Sequence, residues 1–257
     1  MKPYFSIIIP TYNRGYCIGR MIESILSQEF KEFELIIIDD GSTDDTVAVV
    51  SHFKDDRIFF KALDKNAGAN TARNIGARMA RGEWIISNDS DDLFTSDALK
   101  IAYDLTRKVD SDLIFAACVD LDGRVTSNNP EFEGFLEFKD YLRGRVVVGE
   151  YVPIVKREVF ASVNFYYEDV MGGEGTTWAG IIKKTGRVFF SKSIVRIYNN
   201  KGSDRLSVKS KNFKRLAVVF KKDLSVLWRD YLFYAPQKFF EKAAKYVIYK
   251  MLSTVQT

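Results

Sequence analysis

The sequence predicts an α/β fold, a mostly parallel sheet with helices on both faces, followed by basic amphipathic helices. Short, continuous, β-rich apolar runs recur through the first 120 residues, the pattern of strands buried on both faces. Between them apolar residues fall at helical spacing, and strand–helix alternation of this kind builds parallel sheets. Charge is also unevenly placed: residues 206–257 carry 11 Lys/Arg against 3 Asp/Glu, whereas residues 1–205 carry 27 against 31. That asymmetry predicts a boundary near Leu206, with one domain over 1–205 and a basic helical tail over 206–257 that meets an anionic surface.

Tyr4 to Ile9 reads as the first strand, ended by Pro10, with Thr11 to Gly15 as the loop beyond it. Ile18, Ile22, Ile25 and Leu26 mark a helix. Phe33 to Ile38 is the second strand, closed by Asp39-Asp40-Gly41-Ser42, and Ser42 or Thr43 caps a helix from about Asp44 to Phe53. Arg57 to Phe60 is a short third strand. Asn66 to Gly76 is a small-residue loop entering a helix that ends near Gly82. Trp84 to Ser87 is another buried strand, and it runs into Asn88-Asp89-Ser90-Asp91-Asp92. A helix from Thr95 or Ser96 carries Leu99, Ala102 and Leu105, and Leu113 to Ala117 is a further strand. From Gly123 to Gly149 the pattern weakens, apart from a turn or two of helix at Phe138 to Leu142; a loop of that length is often a lid or recognition segment. Val152 to Lys156 is extended, Gly172 to Trp178 is a glycine loop opening into a helix, and Val188 to Phe190 and Ile194 to Tyr198 are short strands. In the tail, Leu216, Phe220, Leu224, Leu227 and Tyr231 follow one helix, broken by Pro236. Phe239, Phe240, Ala243 and Val247 follow a second, beside Lys238, Lys242, Lys245 and Lys250.

Bulk properties exclude several classes. At 257 residues, 46% hydrophobic and 28% charged, the chain can bury a full core and is ordinary for a soluble globular protein. Cys17 and Cys118 lack metal-type spacing and are too few for a disulfide framework, which predicts a reducing compartment. The lone His52 rules out multi-histidine metal chemistry. No apolar run approaches the ~18 residues of a membrane span and no signal-peptide pattern opens the chain, so the expected location is cytoplasmic. Basic residues that follow helix faces, beside loops suited to a small ligand, argue against nucleic acid as a partner.

The chemistry gathers at strand ends. Open α/β sheets bind ligands at the C-terminal ends of their strands, so the loops Pro10 to Gly15, Asp39 to Ser42, Asn66 to Asn74 and Asp89 to Asp92 converge on one side. Three carboxylates in four positions repel one another unless a cation sits among them, and hard divalent cations prefer oxygen ligands. The alternative is a polar turn in which Ser90 and Asp92 cap the next helix. Together the loops offer an aromatic ring, acidic groups, a guanidinium and a metal site, the equipment for a nucleoside diphosphate. No Gly-x-Gly-x-x-Gly follows the first strand and no P-loop lysine occurs, which disfavours a short-chain NAD(P) reductase and ATP in its usual cradle.

The segments SIIIPTYNR, ILSQEFKEFELIIIDDGSTDDT, NAGANTARNIGARMARGEWI and NDSDD, in this order and spacing, resemble the family 2 glycosyltransferases, inverting sugar-nucleotide enzymes of the GT-A fold. The likeness is dense over about the first 120 residues and looser over 150–200. It implies that 1–205 is a GT-A catalytic domain using Mn²⁺ or Mg²⁺. A UDP-linked sugar is then moved to a glycan or lipid-linked acceptor in bacterial surface-polysaccharide synthesis, of lipopolysaccharide or capsule type. By position, Pro10 and Tyr12 become the wall on which the base stacks, and Asp40 the acid at the uracil edge. Asn70 and Arg73 reach base, ribose or phosphate, Asp89 and Ser90 touch ribose, and Asp91 is the metal ligand. Asp39 and Asp44 read as loop and cap residues.

Two departures stand out. Inversion needs a base for the acceptor hydroxyl, which the family supplies as the Asp of a Glu-Asp pair opening a helix; here YYEDVMGGEGTTW places Glu174-Gly175 there. Glu174 is the first candidate base and Asp169 the second; the rival reading is a catalytically impaired sugar-nucleotide-binding or scaffold protein. Relatives also carry a His near IYNNKGSDRLS, which this chain lacks, leaving Lys201 and Arg205 as candidates for the phosphates or as plain surface charges. The tail suits a peripheral contact with the inner face of an anionic membrane; packing on the catalytic domain or on a second copy, as a homodimer, is the alternative.

Overall fold

The computed structural model describes residues 2–163, 165–170, 172–201 and 213–255. Its first half alternates as β1 (Phe5–Thr11), α1 (Gly15–Leu26), β2 (Phe33–Asp39), α2 (Thr46–Ser51), β3 (Ile58–Ala62), α3 (Ala69–Met79), β4 (Trp84–Ser87), β5 (Leu93–Phe94), α4 (Ala98–Lys108) and β6 (Leu113–Asp120). The second half adds β7 (Gly134–Glu137), α5 (Phe138–Arg143), β8 (Tyr151–Lys156), α6 (Arg157–Ala161), α7 (Glu174–Thr185), β9 (Arg187–Tyr198), α8 (Phe213–Tyr234) and α9 (Pro236–Val255). The strands form one sheet in the order β3-β2-β1-β4-β8-β6-β9-β5, with β7 also on β9. It is parallel from β3 through β4, turns antiparallel where β8 enters between β4 and β6, and is parallel again between β6 and β9.

The continuous apolar runs are explained by burial on both faces. Phe5, Ile7 and Ile9 of β1 enter one core with Ile18, Met21, Ile22 and Ile25 of α1. Ile8 of β1 and Ile36 and Ile38 of β2 enter the other, with Ala72 and Ala77 of α3. Each of the Phe, Ile and Met side chains contributes roughly 1.5–3 kcal/mol by leaving water. Helix α3 sits unusually near the sheet at Gly76, where a Cβ would come within 2.6 Å of a methyl of Ile8. This close approach holds Arg73, one turn earlier, at the strand ends.

Three differences from the sequence expectation have physical reasons. Pro10 does not end β1, which continues to Thr11; β4 has already stopped at Ser87 opposite Ile8, so the missing proline N–H costs no ladder bond on that side. The two strands expected at 188–190 and 194–198 are one, because register shifts around Ala117 absorb the polar Ser191-Lys192-Ser193 stretch. The strands β5 and β7, of two and four residues, are too short to show a period.

The expected boundary at Leu206 lies outside the described residues. Past it, α8 packs on α5 and α7 through Leu142, Ala179, Leu227, Tyr231 and Ala235, and Lys183 meets Asp230 at 2.8 Å. α9 lies along α8, and none of its described residues is buried. No helix among the described residues is long and apolar enough to cross a membrane.

Candidate active site

A cavity of about 760 Å³ opens beyond the C-terminal ends of β1, β2 and β4. Pro10, Thr11, Tyr12 and Arg14 form its wall on the β1 side, and Asp40 comes from the end of β2. Ser87, Asp89, Ser90 and Asp91 follow from β4, Arg73 from α3, Glu174 from the first position of α7, and Arg196, Tyr198 and Asn199 from β9 and its end.

Arg73 ties these pieces together. Its side chain, 11% exposed, donates to Asp89 at 2.7 Å, to Glu174 at 2.9 Å and to the Asn70 amide oxygen at 3.1 Å. Burial opposes its charge, but Asp89 and Glu174 outweigh that and raise its pKa. Burial likewise pushes Asp89 upward; Arg73 and then Arg196 reverse this and hold its carboxyl below the usual range. The loop after β4 is thereby linked to the first turn of α7, about 85 residues away in sequence.

The acidic run resolves into three environments. Asp89 is held by Arg73. Asp92, 1% exposed, lies 3.3 Å from the Arg196 guanidinium and accepts the Asn199 backbone N–H at 2.8 Å. Burial pushes its pKa up to about 7, against Arg196 and with help from Asp89 and Asp91. Asp92 therefore does not cap a helix, and two of the three carboxylates have guanidinium partners where the sequence argument required a cation. Asp91 stands in the cavity wall. Among the described residues no group of three or more His, Cys, Asp or Glu is arranged to hold a metal.

The model of the Glycosyl transferase family 2 family matches residues 6–153. The chain belongs to glycosyl transferase family 2. It is 31% identical over 225 residues to the GalNAc(5)-diNAcBac-PP-undecaprenol β-1,3-glucosyltransferase of Campylobacter jejuni, covering 83% of this chain and 71% of that one. To the poly(ribitol-phosphate) β-N-acetylglucosaminyltransferase TarP of Staphylococcus aureus it is 42% identical over 114 residues, 42% of this chain but 35% of TarP. The chain thus spans about a third of TarP's length. Among solved structures, S. aureus TarS 1–349 in complex with UDP-GlcNAc aligns with TM-score 0.70 at 20% identity, over 86% of this chain and 67% of that one. The mannosyltransferase PcManGT of Pyrobaculum calidifontis, in complex with GDP-Man and Mn²⁺, aligns at 0.66 and 21%, over 95% and 74%. These likenesses give the fold, which is GT-A.

Within this family 2 glycosyltransferase, Pro10, Tyr12, Asp40, Arg73, Asp89, Ser90, Asp91 and Glu174 are brought to one cavity wall. Asp40 has a local task as well: its two oxygens accept the N–H groups of Ala67 at 2.7 Å and Gly68 at 2.9 Å, shaping the loop before α3. Burial raises its pKa, against those two bonds. Asn70 is not in the wall. Its amide donates to the carbonyls of Tyr167, Val170 and Gly172, so it anchors the glycine loop. Asp169 is also outside the wall, paired with Lys222 of α8 at 2.7 Å, while its neighbour Glu168 takes Asn74 and Arg78. Lys201 turns to Asp122 at 2.6 Å, away from the cavity, and Arg205 lies outside the described residues. Asp39 and Asp44 accept loop N–H groups, the role expected of them. Arg196, Arg215 and Tyr166 line the cavity without being marked in the sequence; the one available signal is an arginine inside the apolar stretch Ile194 to Tyr198.

Proposed function

We propose that this glycosyltransferase moves one sugar from a UDP-linked donor, with inversion, to a hydroxyl of a lipid-linked or other glycan in bacterial surface-polysaccharide assembly. The observation that carries this is Glu174 and Asp91 in one cavity wall, coupled through Arg73 and Asp89. Pro10 and Tyr12 take the base, within the pocket that Asp40 shapes, and Asp89 and Ser90 face the ribose. Arg14, Arg196 and Arg215 place positive charge around the diphosphate. Glu174 removes the acceptor proton as the acceptor oxygen bonds to the anomeric carbon and the bond from that carbon to the diphosphate oxygen breaks, releasing UDP. Arg73 holds the Glu174 carboxylate in place at 2.9 Å, where the acceptor hydroxyl arrives. The Campylobacter relative, named for an acceptor on PP-undecaprenol, and TarS, solved with UDP-GlcNAc, support this choice of substrates.

The donor set suits Mn²⁺ or Mg²⁺ in a shared form. Asp91 offers a carboxylate in the cavity wall, and a hard cation held there would take its other oxygens from diphosphate and water. When bound, such an ion supplies charge neutralisation to the leaving diphosphate. Asp91→Ala is expected to reduce UDP release from UDP-sugars in Mn²⁺ by about 100-fold or more. Undiminished turnover in that variant would sink the metal assignment.

The same reading places the protein on the inner face of the membrane. Phe233, Phe240, Val247, Ile248 and Met251 are exposed along α8 and α9, and Lys245 and Lys250 share α9, each worth about 1 kcal/mol near anionic lipid. Co-sedimentation with phosphatidylglycerol vesicles is expected, reversed by high salt and by Phe240→Ser with Met251→Ser. Equal partition onto neutral vesicles would refute it.

A further inference from the structure

A second cavity, of about 520 Å³, lies between α7, the segment 144–149 and the helices α8 and α9. Glu150, Tyr151 and Trp178 stand in its wall and also in the wall of the first cavity, so the two spaces meet at these side chains. The start of α7 divides them: Glu174 lines the first, Gly175 and Thr176 the second. Transfer by displacement needs the acceptor to arrive from a space the nucleotide does not fill, with the base at the junction. The second cavity is lined by Gly173 and Gly175, the residues on either side of Glu174.

Its walls differ in chemistry. Phe115, Tyr141, Val148, Phe190 and Phe220 make one part apolar and aromatic, the kind of lining on which the apolar faces of sugar rings pack. The lining also carries charge, Lys238 and Lys242 with Glu150 and Asp223. Lys242 points at Asp223 across 2.6 Å, and that 5%-exposed carboxylate also accepts the hydroxyls of Thr176 at 2.9 Å and Tyr231 at 3.1 Å, so this ammonium is matched within the fold. Lys238 is different: its partner Glu241 is 3.4 Å away in a solvent-exposed i,i+3 pair, worth about 0–1 kcal/mol, which an incoming anion can displace. Arg145 adds charge beside it, donating to Gln237 at 2.6 Å.

We infer that the second cavity holds the acceptor, a glycan whose sugar end lies against the aromatic wall near Trp178 and whose phosphate group lies at Lys238. This rests on reading the first cavity as the donor site. It assigns α8 and α9 a part in substrate choice, through a wall whose residues come from the chain's last third.

Calorimetric titration of the full chain tests it with two probes, chitobiose 1-phosphate and chitobiose itself, and with UDP as a control. The phosphorylated probe binds more tightly to the wild type. Lys238→Glu weakens it about tenfold and leaves chitobiose within about twofold, a 1.4 kcal/mol effect confined to the anion. Gly175→Leu, whose Cβ meets nothing within 4 Å, weakens both probes about tenfold. UDP affinity stays the same in both variants. A further probe with a short prenyl chain on the phosphate separates the sources: tighter binding marks a lipid-linked glycan, equal binding a free sugar phosphate. Failure of either sugar probe to bind, equal binding of the two, or full affinity in Gly175→Leu overturns the assignment, as does loss of UDP binding in either variant. Acceptor binding without transfer would sink the enzymatic scheme and leave this site standing. Transfer untouched by both substitutions would do the reverse.

Discussion

Glu174→Gln is expected to leave UDP binding intact and to lower sugar transfer about 100- to 10,000-fold, the range for removing a general base. The substitution keeps the side chain's length and leaves an amide oxygen able to accept the Arg73 N–H now bonded at 2.9 Å. What disappears is the negative charge that takes the acceptor's proton in the proposed scheme. Stability changes little, because one carboxylate in the first turn of a helix is worth about 0.3–1 kcal/mol. Asp169→Asn is the matched control: with its carboxylate on Lys222 and outside the cavity wall, its loss is expected to change turnover less than about twofold. If Asp169→Asn abolished transfer while Glu174→Gln did not, the base would have to be reassigned, with the 165–176 loop in another arrangement.

The sheet was legible because its strands are buried on both faces, which leaves unbroken runs such as Phe33 to Ile38 with polar residues at one end. Position within the site was harder. Asp40, Arg73, Asp89 and Asp91 follow β2 or β4 or sit in α3, whose places are set by the sheet, and they fall in one cavity. Asn70 is less legible, because an amide facing a glycine loop and an amide facing a ligand look alike in sequence; only the fold shows that its N–H groups meet three carbonyls. Arg196 was invisible for a different reason. It reaches the cavity through a strand far along the chain, on the other side of the antiparallel β8, and its partner Asp92 was read as part of a metal or capping cluster. The tail's two helices, broken at Pro236, are legible from its apolar spacing. The side of α8 that faces α5 and α7 depends on long-range pairs such as Thr176 with Asp223, which helical spacing does not encode.

Arg73 carries the other large expected effect. Arg73→Met keeps an unbranched apolar stem in the same space and removes every donor of the guanidinium. Asp89 and Glu174 would then face each other with no cation between them, next to the loop that bears Asp91. Their side chains keep 47% and 37% exposure, so water recovers part of the loss. The cost is therefore set below the ~3–5 kcal/mol of breaking a fully buried pair, at about 2 kcal/mol. In a chain of this size that lowers Tm by about 4–8 °C. Turnover is expected to fall about 100-fold or more, because the loop after β4 and the first turn of α7 lose their common partner and the base its fixed orientation. Arg73→Lys separates the two effects. One ammonium restores a charge to the site, and with it part of the lost Tm, but it cannot span Asp89, Glu174 and Asn70 as the planar guanidinium does, so turnover stays low. Normal kcat in Arg73→Met, with the Tm loss alone, would show that this arginine holds the fold together without placing the base.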